Sequence, residues 1–205
     1  FSQKSSRKIL FYSLSILSFI LSVLSKTAAV SLPVIIVLID YYILNKPIKK
    51  TLLSKSPLFL ISLLAGVYAV FVLQETGSVY QPEYDYTFFD KFFMSFYAIA
   101  FYFVKFFSPF DLSSYYLFPE KINGYLPFLF YLSPFIVILP ALLFYYFRKL
   151  NKHILFGFLF YLTTIALFLQ VLPSGRVIVA DRYSYLPHIG ILYILLQFAN
   201  FEFKK

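Results

Sequence analysis

Six apolar runs of 16 to 23 residues, set apart by short basic or polar segments, constrain this chain more than any other feature. A helix needs roughly 20 apolar residues to cross a bilayer. Backbone amides find no water in hydrocarbon, so only helices and closed barrels can span it. The runs predict an all-α, polytopic membrane bundle with spans at about 9–25, 28–44, 57–73, 125–147, 154–172 and 184–199. A seventh apolar stretch, 92–107, is short, flanked by Lys91 and interrupted by Lys105, and is read as an interfacial or re-entrant helix. The whole of 1–205 is taken as one partial transmembrane domain, because no soluble domain, repeat or low-complexity tract interrupts it. The chain opens at Phe1 on a polar, basic lead into a fully apolar helix, which reads as a fragment of a longer protein.

Composition agrees with a lipid solvent. Hydrophobic residues make up 60% and mean hydropathy is +0.78, against roughly 45–50% apolar residues in soluble domains. Charged residues, at 13%, are too few to clothe a water-soluble surface. Phe suits hydrocarbon and Tyr the interface, and there are 28 and 19 of them. With no Cys and two His, no disulfide framework or metal site is expected. The net charge of +9 does not point to nucleic acid, since the cations form short clusters between apolar runs and so act as topology signals.

Those clusters orient the bundle. If 92–107 does not cross, twelve of the 18 Lys and Arg lie inside and six outside. Seven of the nine acidic residues then face outward, including Glu75, Glu83, Asp85 and Asp90 of the loop 74–90. If it does cross, the split is about 11 to 7 and the Arg148 cluster faces out without an acidic neighbour. The positive-inside rule favours the first arrangement. Prolines 127, 134 and 140 are expected to kink the fourth span without abolishing it.

In this topology Lys26, Asp111, the Tyr115–Tyr116 pair, Arg176, Asp181, Arg182 and Tyr183 share the outer aqueous surface. Cations beside aromatic rings at a membrane boundary suit a lipid phosphate, which Arg can grip with two bonds and Lys as a point charge. Plainer roles exist for each. Lys26 could mark the hairpin turn and snorkel to water, and Arg182 could pair with Asp181 to fix the loop. Asp40 is expected to be satisfied by nearby hydroxyls or lysines, and His153 and His188 to be structural. Helix-spaced aromatics read as core or lipid-facing residues.

The stretch ADRYSYLPHIG, 180–190, resembles a motif of bacterial GT-C type membrane glycosyltransferases that carry tetratricopeptide repeats, and of the related transmembrane-and-TPR O-mannosyltransferases. SKTAAVSLP at 25–33 with IDYY at 39–42, and Tyr102 to Tyr116, a helix end followed by SPFDLSSYY, resemble two further segments of that family. The resemblance implies transfer of a sugar from a polyprenyl-phosphate carrier, the donor substrate, to a protein acceptor on the non-cytoplasmic side. It implies no permanently bound cofactor, and a bacterial inner-membrane location with the site facing the periplasm or exterior. The catalytic acid of such proteins is expected upstream of Phe1. By match, Lys26 and Arg182 are expected to hold the carrier phosphate, with Asp181, Tyr183, Asp111, Tyr116 and Arg176 in support. Thr27 stands where relatives often carry an acid or proline. Two other functions compete: a transporter or flippase of lipid-linked glycans, which would need polar residues at mid-bilayer, and a non-catalytic membrane anchor or scaffold.

Overall fold

The computed structural model describes residues 2–75, 86–147, 152–169 and 177–202. It is predominantly helical, with seven α-helices among the described residues. The chain clusters into two compact units, Phe1–Glu75 and Thr76–Lys205, and each is described by itself.

In the first unit, α1 (Ser2–Ser25) ends where Lys26 turns extended, with φ −150° and ψ 121°. A 3-10 turn, Thr27–Ser31, leads into α2 (Leu32–Leu38), whose Pro33 occupies the first turn, where no amide partner is lost. A π turn, Ile39–Ile43, follows. It holds Asp40, which is 6% exposed and paired with the Lys46 ammonium at 2.8 Å. The span predicted as one helix over 28–44 is thus three helical types in succession.

Helix α3 runs from Ile48 to Glu75, nine residues ahead of the predicted span at 57. The basic segment Asn45–Ser56, between the predicted spans 28–44 and 57–73, is helical from Ile48 because its lysines and leucines are good helix formers and nothing from there to Pro57 breaks the turn. Pro57 has no amide to give the Leu53 carbonyl, and the neighbouring Ser56 hydroxyl donates to that carbonyl instead, at 2.9 Å. Phe19, Val23 and Leu58 form the small core of this unit. The Tyr12 hydroxyl ties α1 to α3 through the Ser54 carbonyl at 2.9 Å. Most other apolar side chains point outward, Leu24 at 77% and Leu53 at 75% exposed. Two helical stretches, Arg7–Ser25 and Ile48–Glu75, are long and apolar enough to cross a membrane.

The second unit begins with a capped helix. α4 (Phe88–Phe107) starts four residues before the predicted 92, because Thr87 and Asp90 form a reciprocal capping box. Met94, Ala98 and Tyr102 recur every four residues and make the buried stripe of α4. They pack on Phe130 of α5 (Phe128–Phe147), Tyr161 and Ile165 of α6 (Lys152–Ile165), and Ile191 of α7 (Tyr185–Glu202). A 3-10 turn, Ala166–Phe168, extends α6. Pro134 repeats the device of Pro57: the Phe130 carbonyl it leaves free accepts from the Ser133 hydroxyl at 2.7 Å. The apolar helices Phe128–Leu139, Lys152–Phe168 and Tyr185–Ala199 overlap three predicted spans but, among the described residues, are shorter than a membrane crossing.

α6 and α7 cross at two glycines. A Cβ on Gly190 would lie 2.5 Å from the Gly157 carbonyl oxygen, and one on Gly157 would lie 2.7 Å from the Gly190 carbonyl oxygen. Small residues permit such backbone approach, as between helices in membranes. A short antiparallel ladder was not anticipated: β1 (Tyr116–Leu117) pairs with β2 (Val177–Val179).

The predicted acidic loop has Gly77, Pro82, Glu83 and Asp85 outside the described residues, as are Arg148, Lys149, Gly175, Arg176, Lys204 and Lys205. Asp90 is described, and its carboxylate has a specific task. It accepts from the Thr87 amide and hydroxyl, both at 2.8 Å, and pairs with Lys121 at 2.8 Å, the two side chains being about nine-tenths buried. The pair pins the loop around 119–122 to the start of α4, aided by the Tyr86 hydroxyl on the Pro119 carbonyl at 2.6 Å. Burial alone would raise the Asp90 carboxyl, but the Lys121 and Thr87 contacts outweigh it and hold the pKa below its ordinary value. A lowered folded-state pKa contributes stability that is complete above the unfolded value near 3.8 and is lost as pH falls through the folded one. The thermal midpoint of the wild type should therefore fall more steeply between about pH 5 and pH 3 than that of Asp90→Asn. Equal slopes would remove Asp90 from the acid response.

Candidate functional site

The second unit brings a cluster together at the C-terminal end of α4. There the chain leaves the helix at Ser108 and turns sharply at Asp111, whose φ is +49°. Asx residues tolerate that left-handed conformation better than most. Lys105, one turn back, donates to the Phe110 carbonyl and to the Asp111 carbonyl at 3.1 Å, as a cation near a helix C-terminus should. Its ammonium also lies 5.5 Å from the centre of the Phe101 ring and 5.9 Å from that of Tyr116.

Opposite this corner, β2 ends at Val179 and a 3-10 turn, Asp181–Tyr183, leads into α7. Two contacts from elsewhere in the chain fix the turn. The Tyr102 hydroxyl donates to the Ala180 carbonyl at 3.1 Å and accepts from the Ala180 amide at 3.0 Å. One phenol thus satisfies both backbone groups of a completely buried residue, in the manner of a partner strand. The Asp181 carboxylate is the second: its Oδ2 accepts from the Ser113 amide at 2.6 Å and from the Tyr116 hydroxyl at 3.0 Å. Tyr116 has a single proton and shares it with the Asp111 carbonyl, 2.7 Å away. Burial, then the Asp181 carboxylate, push the Tyr116 phenol above its usual pKa and keep it a donor. Asp181 Oδ1 is buried without a hydrogen-bond partner.

Arg182 projects from this turn into the open. It contacts Tyr183, whose hydroxyl accepts from the guanidinium at 3.1 Å and whose ring lies 5.1 Å away. Tyr183 is in turn stacked on Phe168, at 4.3 Å and 10° between planes. Among the described residues no carboxylate lies within ion-pair distance of Arg182. The local Arg182–Asp181 pair considered from sequence is absent, because Asp181 is turned inward onto Ser113 and Tyr116.

Of the predicted residues, the structure gathers Asp111, Tyr116, Asp181, Arg182 and Tyr183 into one corner. Arg176 lies outside the described residues. Lys26 belongs to the first unit, where it is exposed and its backbone alone is engaged, the amide on the Ser22 carbonyl at 2.9 Å and the carbonyl on the Ala29 amide at 3.0 Å. Tyr115 is exposed and its carbonyl accepts from the Ser113 hydroxyl at 2.8 Å.

Sequence reasoning missed Tyr102, Lys105 and Ser113. Tyr102 lies 78 residues from the backbone it holds, and in a helix with this many aromatics nothing marked it. His188 packs under the same corner, its Nε2 3.0 Å from the Tyr102 carbonyl, while His153 meets the Tyr193 hydroxyl at 2.8 Å. Among the described residues no group of His, Asp and Glu is placed to hold a metal ion.

Chemically, the corner offers one exposed guanidinium on a rigid mount with aromatic flanks. Such a group binds an anion with an oxygen pair, of which a phosphate monoester or diester is the prime example. Compared with known protein families, with curated proteins and with solved structures, the chain finds no match.

Proposed function

We propose that the chain is part of a membrane-embedded glycosyltransferase of the GT-C type, which moves a sugar from a polyprenyl-phosphate carrier to a protein acceptor on the non-cytoplasmic side of a bacterial inner membrane. The observation that carries the proposal is Arg182: an exposed cation with no acidic partner among the described residues, on a turn fixed by Tyr102, Ser113 and Tyr116. Its resemblance to a family motif over 180–190, and two helical stretches able to cross a bilayer, support the same reading.

In this reading Arg182 grips the carrier phosphate. As the sugar departs, negative charge grows on the phosphate oxygens, and a preplaced guanidinium stabilises that change without having to reorganise. Tyr102 and Asp181 act through the turn and are positioning residues. Lys26 is the other cation that the resemblance implies.

The test is transfer by the full-length protein in proteoliposomes supplied with a polyprenyl-phosphate sugar and an acceptor peptide. Transfer supports the proposal; intact insertion without transfer points to an anchor instead. Orientation has its own test, made simpler by the lack of cysteine within these 205 residues. A cysteine replacing Ser114, which is exposed between Asp111 and Tyr116, is expected to react with an impermeant maleimide from outside the cell. Protection there would place the corner in the cytoplasm, away from a periplasmic carrier.

A further inference from the structure

A second feature of the second unit lies away from the Arg182 corner. Helices α4, α5, α6 and α7 enclose an apolar cavity of about 150 Å³, open on one side. Its floor is buried, formed by Ala100, Tyr161, Ile191 and Ile194, and Phe107 and Phe198 stand exposed at its rim. Among the described residues the only polar side chain in the wall is Tyr161, and its hydroxyl is already committed to the Ile99 carbonyl at 2.6 Å. No charged side chain and no free side-chain donor among the described residues lines the space.

Those walls decide what can enter. A polar group would lose its water and gain no partner, at a cost of several kcal/mol. A dry apolar cavity of about this size in another protein accommodates a benzene ring, so the room suits a short stretch of hydrocarbon and little more. The open side lets a longer molecule insert one end and leave the rest outside, which a compact solute has no need to do. We propose that this cavity holds the end of a flexible hydrocarbon chain belonging to a membrane lipid. The inference does not rest on sugar transfer, and Arg182→Ala should leave it untouched.

The full-length protein, reconstituted in phosphatidylglycerol vesicles, would be photolabelled with a phospholipid bearing a diazirine at its acyl terminus and mapped by mass spectrometry. Labelling per residue should be several-fold higher over 99–107 and 191–198 than at Phe135 and Leu139, which are exposed on α5 but outside the cavity. Val137→Phe or Ala100→Leu, which fill the cavity from α5 and from α4, should erase the excess and leave the α5 labelling unchanged. Excess unlabelled polyprenyl phosphate separates the two sources of chain: displacement identifies an isoprenoid occupant, and its failure an acyl one. Uniform labelling of rim and control residues in the wild type would overturn the proposal even if neither filled variant folds.

Discussion

Arg182→Ala in the full-length protein should lower sugar transfer roughly 10²–10³-fold, the usual cost of removing one preorganised group that stabilises developing charge. Membrane insertion and thermal stability should stay as they are, because the side chain is exposed and, among the described residues, its one hydrogen bond is to the adjacent Tyr183. Arg182→Lys should recover part of the rate, since it keeps the charge but loses the planar two-point grip. The loss should appear in kcat as well as KM, because charge on the leaving phosphate is greatest at the transition state. Retained transfer in Arg182→Ala would remove this residue from the site, and with it the main structural support for the proposed chemistry.

Gly190→Ala should destabilise the second unit, whereas Gly66→Ala should not harm the first. Both glycines are helical, and replacing a helical glycine by alanine is intrinsically worth about 1 kcal/mol of stability. Space decides the sign. Around Gly66 nothing lies within 4 Å of the added carbon, so the intrinsic gain survives. At Gly190 the new carbon would lie 2.5 Å from the Gly157 carbonyl oxygen and 2.9 Å from the Tyr161 amide nitrogen. Both are backbone atoms, which no rotamer change can move, so α6 and α7 must separate. Overpacking of this kind costs about 3 kcal/mol, enough to outweigh the intrinsic gain. Thermal unfolding in detergent should show Gly190→Ala below the wild type and Gly66→Ala level with it or above; the reverse order would mean that the helices do not cross at these glycines.

Helices were legible because a long apolar run between charges has few alternatives. The termini were less so, for local reasons. Thr87 and Asp90 carry the spacing of a capping box, but the acidic loop around them masked the signal. The lysines before Pro57 resembled a cytoplasmic loop, although Lys is also a good helix former, and the Ser56 hydroxyl let α3 run through the proline. At the corner, shared topology placed Asp111, Tyr116 and Arg182 on one surface, since each stands at the end of an apolar run. What topology could not supply was the inward turn of Asp181 onto Ser113, or the grip of Tyr102 on Ala180. Both join positions more than sixty residues apart, and no local spacing encodes such a contact.

Binding of a polyprenyl phosphate without its sugar isolates the central claim from acceptor, base and turnover. In nanodiscs of neutral lipid, the wild type should bind this anion at least about tenfold more tightly than Arg182→Ala, the effect of losing one charge-assisted contact. Arg182→Lys should fall between them, and added salt should narrow the difference because the guanidinium is exposed. Equal affinity of wild type and Arg182→Ala would contradict the account.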